Sequence, residues 1–457
     1  MPVEEKESRA ATITGIEVRN LFGYLSYNIG TKKSRNPADA LILYGDNGSG
    51  KTSILRLLFY LLSPADKRGH KTEVAQTVFS RFSVYFNTGI SINTTRPARE
   101  TVGEFAMTIC SGSTVLHQYV FKPTRPDGSI QISEPDELKK VMAFFEELGK
   151  LGITLFFLKD DRSIETTLFD DRRDEDEVIL HELREQRLEP AALTIKAART
   201  AVRRAAMFVR TGAFRASNLG DTNTYNVYLE IIRRIAAAAH DEGARPSTSV
   251  KGLLKQLRVI SRRAERLSSL GLITPVDVRE MTVLLRRMRG SRATIAEQVV
   301  LPYVNSTTAR FDALERIAIP LEKFLSYLNK FYKDKKISFD LHDGFTIRSD
   351  AAGPLTPDML SSGERHLLLL FCNVLVAQDR ASLFIIDEPE LSLNVRWQRL
   401  LIKALVDFVE GTHVRFVFAT HSIEMLTQHL TNVHKLKALR TRSTERPELD
   451  EGDTSKT

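Results

Sequence analysis

The eight residues Gly45-Asp46-Asn47-Gly48-Ser49-Gly50-Lys51-Thr52 fit the pattern G-x-x-x-x-G-K-[ST], and few short motifs restrict a fold so tightly. Such a loop works only between a buried strand and the first turn of a helix. Its backbone N–H groups must close around phosphate oxygens while the helix presents its positive end. The flanks comply: Ala40 to Tyr44 is a compact apolar run, and Ser53 to Leu62 predicts a helix. Lys51 is then placed to reach the outer phosphates and Thr52 to ligate Mg2+, with Asn47, Gly48, Ser49, Gly50 and Ser53 completing the expected cradle.

The surrounding text extends an α/β reading. Ile13 to Ile29 is β-branched and aromatic with short polar breaks, which predicts strands. The region after the Ser53–Leu62 helix, through about Phe121, alternates apolar and polar residues between Gly, Asn and Pro and predicts antiparallel strands. Ile153 to Leu158 predicts a further buried strand that reaches the surface at Lys159, Asp160, Asp161 and Arg162.

Three later stretches carry chemistry. Leu360-Ser361-Ser362-Gly363-Glu364-Arg365 forms a short polar turn before an apolar helix expected over His366 to Ala377. Small residues at a helix amino end let backbone approach an anion, although such a turn alone more often caps the helix. Leu383 to Glu388 predicts a strand ending in two carboxylates, Asp387 suited to hold Mg2+ and Glu388 to polarise an attacking water. Val414 to Ala419 predicts another buried strand, followed by Thr420-His421-Ser422, where His421 could hydrogen-bond a γ-phosphate or that water.

Taken in order, these four elements resemble the ABC-type ATPase superfamily, and within it the split heads of SMC, RecF and OLD-type proteins. The resemblance implies an α/β fold, a split ABC-type P-loop ATPase head with an inserted basic helical domain. Residues 1–165 and 340–439 would form the head, 166–339 the insertion and 440–457 a disordered tail. It further implies ATP and Mg2+ as cofactors, Thr52 and Asp387 as metal contacts, Glu388 as hydrolytic base and His421 as switch. Signature residues Ser361, Ser362, Gly363 and Glu364 would serve the nucleotide of a second copy, with Ser392 and Asn394 in the D-loop. Ser362 stands where the family pairs glycines, and Ser392-Leu393-Asn394 lacks the usual D-loop Asp, so slow turnover is expected. The counterpart of the glutamine loop falls near Asp160 to Arg162.

Composition narrows the setting. Only Cys110 and Cys372 occur, which excludes a disulfide framework or a cysteine-based zinc site within one chain. Met1 to Ala10 lacks an apolar signal core and no run of about 18 apolar residues follows, so a soluble cytoplasmic protein without a membrane partner is expected. A length of 457 residues favours two lobes. The net charge is only +8, but Lys196 to Arg316 holds 22 Lys or Arg against 10 Asp or Glu, a local excess of +12. That segment reads as helices over Tyr225–Ala239, Val250–Leu267 and Val276–Met288, broken at Gly243, Pro246, Gly271 and Pro275, which argues against one long coiled-coil arm. Residues 160–189, with 12 acidic and 5 basic side chains, read as a solvated hinge.

The overall likeness is to ATPase subunits of bacterial anti-phage systems such as PARIS and Septu, which resemble OLD ATPases without their fused nuclease. Only 36 residues follow His421, too few for such a nuclease. The resemblance implies an ATP-sandwiched dimer or higher homo-oligomer that holds a separately encoded toxic nuclease effector. An acidic phage trigger protein such as a DNA mimic would release it, and the basic insertion, including Arg203, Arg204, Arg262, Arg263, Arg286 and Arg287, offers a docking face. The alternative is a RecF- or SMC-like DNA repair ATPase whose insertion contacts DNA itself. A transporter ATPase fits the amino-terminal strands and the long insertion poorly.

Overall fold

The computed structural model describes residues 11–30, 40–64, 68–161, 164–167, 194–217, 250–287, 291–380, 382–427 and 433–437. Most of the acidic stretch, the expected helix over Tyr225–Ala239, the breaks at Gly243 and Pro246, Met1 to Ala10 and the tail 440–457 lie outside the described residues.

Residues from both ends of the chain build one six-stranded sheet of order β15-β3-β14-β13-β8-β9. Its members are β3 (Ala40–Tyr44), β8 (Thr154–Leu158), β9 (Ile164–Thr166), β13 (Ser382–Asp387), β14 (Val414–Thr420) and β15 (Val433–Lys435). All pairs are parallel except β8 with β9. This is a split α/β P-loop head: strands from before and after the helical segment are interleaved in the same sheet.

The central strands read as continuous apolar runs because both faces are covered. Side chains alternate between two cores. Leu43, Leu155, Phe157, Leu383, Ile385 and Val417 join one with helix α1 (Lys51–Leu62). Ile42, Phe156, Leu158, Phe384, Ile386, Phe416 and Phe418 join the other, with helices α8 (Ser362–Ala377) and α9 (Val395–Phe408). Phe156 and Phe384 stack at 4.4 Å across β8 and β13. Truncating a fully buried Phe such as Phe384 to Ala removes about 3–5 kcal/mol.

The first core is closed by a six-stranded antiparallel sheet of order β2-β1-β4-β5-β6-β7, formed by β1 (Ile13–Leu21), β2 (Leu25–Gly30), β4 (Arg81–Phe86), β5 (Ile90–Thr95), β6 (Phe105–Ser111) and β7 (Thr114–Phe121). Helices α2 (His70–Gln76) and α3 (Pro135–Gly149) add to it. Lys71 on α2 is buried and donates through Nζ to Tyr60 O, Leu61 O and Ser63 O at 2.6, 2.9 and 3.0 Å. It thereby occupies the carbonyls left over at the C-terminus of α1, the helix that opens at the phosphate loop. Burial pulls Lys71 down to about 7.

The second core runs without a break from the parallel sheet into the basic helical segment. Residues 194–217 are helical (α4), followed by α5 (Val250–Ser269), α6 (Arg279–Arg287) and α7 (Ser291–Phe331), and their apolar faces share that core. The α6 helix starts three residues later than its apolar spacing suggests, after Pro275, where Asp277 Oδ1 accepts from Arg279 N at 2.8 Å. Gly271 breaks the chain as expected: its φ is +70° and a Cβ would meet Phe339 O at 2.3 Å. The 41-residue α7 is the element that the sequence reading lacked. It holds Pro302 and Pro320 within the helix, each removing a backbone donor. Burial of Val304, Phe311, Leu314, Leu321, Phe324 and Leu328 outweighs that cost. A three-stranded antiparallel sheet, β10 (Lys335–Asp340), β11 (Gly344–Ser349) and β12 (Gly353–Leu355), leads back to the head.

Candidate nucleotide-binding site

Three strand ends come side by side at one edge of the parallel sheet. Tyr44 on β3 pairs with Thr420 on β14, and Ala419 on β14 pairs with Asp387 on β13, so the loop after β3, the turn after β13 and His421 share that edge. Two strand spacings separate β3 from β13 by only about 10 Å.

At the loop, Gly48 and Gly50 adopt φ of +81° and +80°. A Cβ on Gly50 would also meet Leu21 Cδ2 at 2.8 Å. Tyr27 Oη donates to Ser49 O at 2.8 Å and pins the loop to β2. Asp46, Asn47 and Gly48 are exposed, Ser49, Gly50, Thr52 and Ser53 half-buried. Lys51 is 5% exposed and its Nζ donates to Gly45 O at 2.7 Å and Asp46 O at 3.0 Å, folded over the loop mouth. No acid stands in the first turn of α1, so no side chain there competes for its positive end.

Asp387 ends β13 at 1% exposure. Neither of its carboxylate oxygens has a partner in ordinary hydrogen-bond geometry among the described residues. Burial pushes its carboxyl up to about 6, the nearby charges of Asp160 and Glu388 add to this, and Thr52 and Arg56 act the other way. A buried carboxylate whose neighbour is a threonine hydroxyl fits the oxygen donors that a hard cation such as Mg2+ would take. The chain therefore brings Thr52 and Asp387 together from positions 335 residues apart.

Glu388 lies just past the strand that was expected to include it. Its φ is +45°, a left-handed conformation unusual for a non-glycine residue, and its N–H donates to Ala419 O at 2.9 Å. His421 Nδ1 sits 3.6 Å from Glu388 Oε1 and 3.2 Å from Glu390 Oε1.

The signature turn differs from its expected form. The helix begins at Ser362 rather than His366, and Ser361 is its N-cap in a capping box: Ser361 Oγ accepts from Glu364 N at 3.3 Å and Glu364 Oε2 accepts from Ser361 N at 2.8 Å. Glu364 also meets Lys335 Nζ at 2.8 Å. Burial pushes Glu364 up, but Lys335 and the Ser361 contacts outweigh it and hold the carboxyl below its usual range. Ser361 and Ser362 are exposed, whereas Gly363 is buried, where a Cβ would lie 2.5 Å from Ser392 O. Ser392 has φ of +64°, and Asn394 caps α9, Oδ1 accepting from Trp397 N at 3.0 Å. Because α1 and α8 belong to opposite cores, they cover opposite faces of the parallel sheet.

Sequence reasoning passed over Glu390, Tyr27 and Lys71. Glu390 reads in Glu388-Pro389-Glu390 as one more solvated acid, yet it is 4% exposed. The basic segment needs correction too. Arg263 meets Asp312 and Glu315, and Arg266 meets Glu315 and Glu322, all on α7, so these charges fasten the helices together. On α5 the exposed basic side chains are instead Lys251, Lys255, Arg258 and Arg262, spaced 4, 3 and 4 residues apart along one face.

Residues 229–427, under half of the chain and beginning after the phosphate loop, match the family model described as "AAA domain, putative AbiEii toxin, Type IV TA system". No curated protein matches. Among solved structures, the Smc head domain with an extended coiled coil from Pyrococcus furiosus, bound to the C-terminal domain of ScpA, is 11% identical with a TM-score of 0.36, covering 94% of each chain. An SmcHead bound to the C-winged helix domain of ScpA is 10% identical with a TM-score of 0.34, covering 94% of this chain and 98% of that one. The fold assignment rests on the strand order and the phosphate loop. Among the described residues no helix is long and apolar enough to cross a membrane.

Proposed function

We propose that the chain binds and slowly hydrolyses ATP with Mg2+, as the sensor and scaffold subunit of a bacterial anti-phage system. The observation that carries the nucleotide reading is the meeting of Thr52 with the buried Asp387 at the mouth of a glycine loop. Asn47 to Gly50 would wrap the phosphates with backbone N–H groups, Lys51 would turn from its loop carbonyls to the outer phosphates, and Ser53 would add the next N–H of α1. Thr52 and Asp387 would hold Mg2+, which would supply neutralisation of the phosphate charge. Glu388 would orient the attacking water and take its proton, and His421 would hydrogen-bond the γ-phosphate edge.

The placement of α1 and α8 on opposite faces of the sheet supports a nucleotide shared between two copies, the exposed Ser361 and Ser362 of one copy completing the site of the other. Ser392 and Asn394 would shape that junction from behind, through the contact of Ser392 with Gly363 and the cap of α9. The matched family's description, a toxin of a toxin–antitoxin system, supports a chain that works with a separately encoded partner, here a nuclease effector released when an acidic phage protein docks on the basic helices. A RecF- or SMC-like DNA-binding ATPase is the second reading, favoured by the α5 stripe, whose four cations match a phosphate backbone.

Nucleotide binding by the wild type, Lys51→Ala and Glu388→Gln, read with the sedimentation of each, tests the reading. Lys51→Ala is expected to lose ATP, and Glu388→Gln to retain it and accumulate as a dimer or larger assembly. Equal binding by wild type and Lys51→Ala would remove the site.

A further inference from the structure

We propose that Glu390 is the positioning residue of His421, fixing the imidazole with Nδ1 turned to the carboxylates and leaving Nε2 for the nucleotide side. This rests on the hydrolytic reading above and adds a residue that none of the sequence motifs assigns.

The carboxylate of Glu390 is buried, and among the described residues every donor near it goes to one of its oxygens. Oε1 accepts from Thr420 Oγ1 at 2.6 Å, His421 N at 2.9 Å and Ser422 N at 3.3 Å, with His421 Nδ1 at 3.2 Å. Oε2 is buried without a partner among the described residues. A buried carboxylate held this unevenly is costly as mere scaffolding, since a neutral acceptor would serve the hydroxyl and the two N–H groups. The imidazole is the one contact for which the negative charge matters. Glu388 lies farther from the same nitrogen, at 3.6 Å, so the nearer carboxylate, and the one that faces the ring at charge-pair distance, is that of Glu390. A carboxylate facing Nδ1 selects the Nδ1–H form and frees Nε2.

The seat of Glu390 is itself braced. Gln398 Nε2 donates to Leu393 O at 2.9 Å and Glu390 O at 3.4 Å, while Ser422 Oγ donates to Gln398 Oε1 at 2.8 Å. The turn after β13 and the loop after β14 are thereby tied to α9 as one unit, and His421 rides on it. A side chain that is 45% exposed receives in this way the orientation that its own packing does not supply.

Glu390→Gln in the full chain keeps the shape and an acceptor while removing the charge. ATP binding is expected to stay within about twofold and single-turnover hydrolysis to fall about 10–100-fold, the range for losing a group that orients a functional histidine. The loss should not multiply with that of His421→Ala, because both changes disable one unit. Side-chain nitrogen signals of His421, observed by NMR in 15N-histidine-labelled protein and assigned with His421→Ala, should move away from the Nδ1–H pattern even without nucleotide. Wild-type turnover in Glu390→Gln, losses that multiply, or unchanged His421 signals would each overturn the inference. If the wild type neither binds nor hydrolyses ATP, the nucleotide reading fails and the NMR comparison alone decides the placement of His421. Should Glu390→Gln not fold, Glu390→Asp, which keeps the charge but draws it back from Nδ1, is expected to give an intermediate loss and the same signal shift, and wild-type values from it would overturn the proposal equally.

Discussion

Replacing Asp387 with Asn tests whether the site holds a carboxylate at a cost to the empty protein. Burial first, then Asp160 and Glu388, raise its pKa from 3.8 to about 6. That shift corresponds to about 3 kcal/mol carried against folding when the group is ionised, of which an imperfectly bonded amide in its place would retain about 1. Asp387→Asn is therefore expected to stabilise the nucleotide-free protein by about 2 kcal/mol near pH 7.5. The sign follows from the proton count: between about pH 4 and 6 the folded chain binds the extra proton, so the Asp387 contribution to wild-type stability falls as pH rises through that window and stays level above it. Below about pH 4 the carboxyl is protonated in both states, so the charge-derived part of the gain is absent there. Denaturant unfolding at several pH values measures the gap, and adding Mg·ATP should reverse it, because only the wild type has the ionised ligand. An Asn variant less stable than wild type at pH 7.5, or a gap of the same size at both ends of the pH range, would refute the reasoning.

Three other outcomes follow from the described contacts. Reversing Lys251, Lys255, Arg258 and Arg262 to Glu should leave ATP binding intact and lower the slope of log affinity against log salt for duplex DNA or an acidic protein by about 3–4, read by titration at several salt concentrations; an unchanged slope places recognition elsewhere. Lys71→Met strands three carbonyls at the end of α1 and should cost about 3 kcal/mol at high pH by denaturant unfolding. Since its folded pKa of about 7 lies below the ordinary 10.5, wild-type stability should rise from pH 7 to 10.5 and the Met variant should lose that slope. Gly363→Ala drives a methyl to 2.5 Å from Ser392 O, and a loss of about 1–3 kcal/mol in thermal or chemical unfolding is the expected reading.

The parts of this molecule legible in its sequence are those where one local rule acts alone. Ala40–Tyr44, Ser382–Asp387 and Val414–Thr420 announce buried parallel strands because both their faces are apolar, and the loop at 45–52 announces itself because only glycines permit its turns. Where two rules compete, local reading failed. Pro302 and Pro320 argue for breaks that α7 overrides by burying one long face, and that burial depends on α4, α5 and α8, which no window of sequence contains. Ser361-Ser362-Gly363 was read as a turn before a helix because its polar residues mask the capping box that Glu364 closes. Glu390 was passed over and Arg263 was assigned to a docking face because a partner 31 or 49 residues away in sequence cannot be heard in composition.

The same long-range contacts join the basic helical segment to the turn before α8. The α5 helix lies against α7 through Arg263 and Arg266, and α7 ends at Phe331 beside the signature turn. Tyr332 Oη donates to Glu364 O at 3.1 Å and Lys335 Nζ meets Glu364 Oε1, while the other oxygen of that carboxylate caps Ser361. A displacement of α7 along its axis would thus reach Ser361 and Ser362 through one carboxylate rather than through a soft loop. The Arg263–Glu315 pair and the contacts that end at Glu364 are half-buried, where salt screens them little, whereas Asp312 and Glu322 are exposed. If the proposed docking on α5 is felt at the nucleotide site, breaking the Glu364 junction should remove that effect, whereas weakening the exposed stripe should alter docking alone.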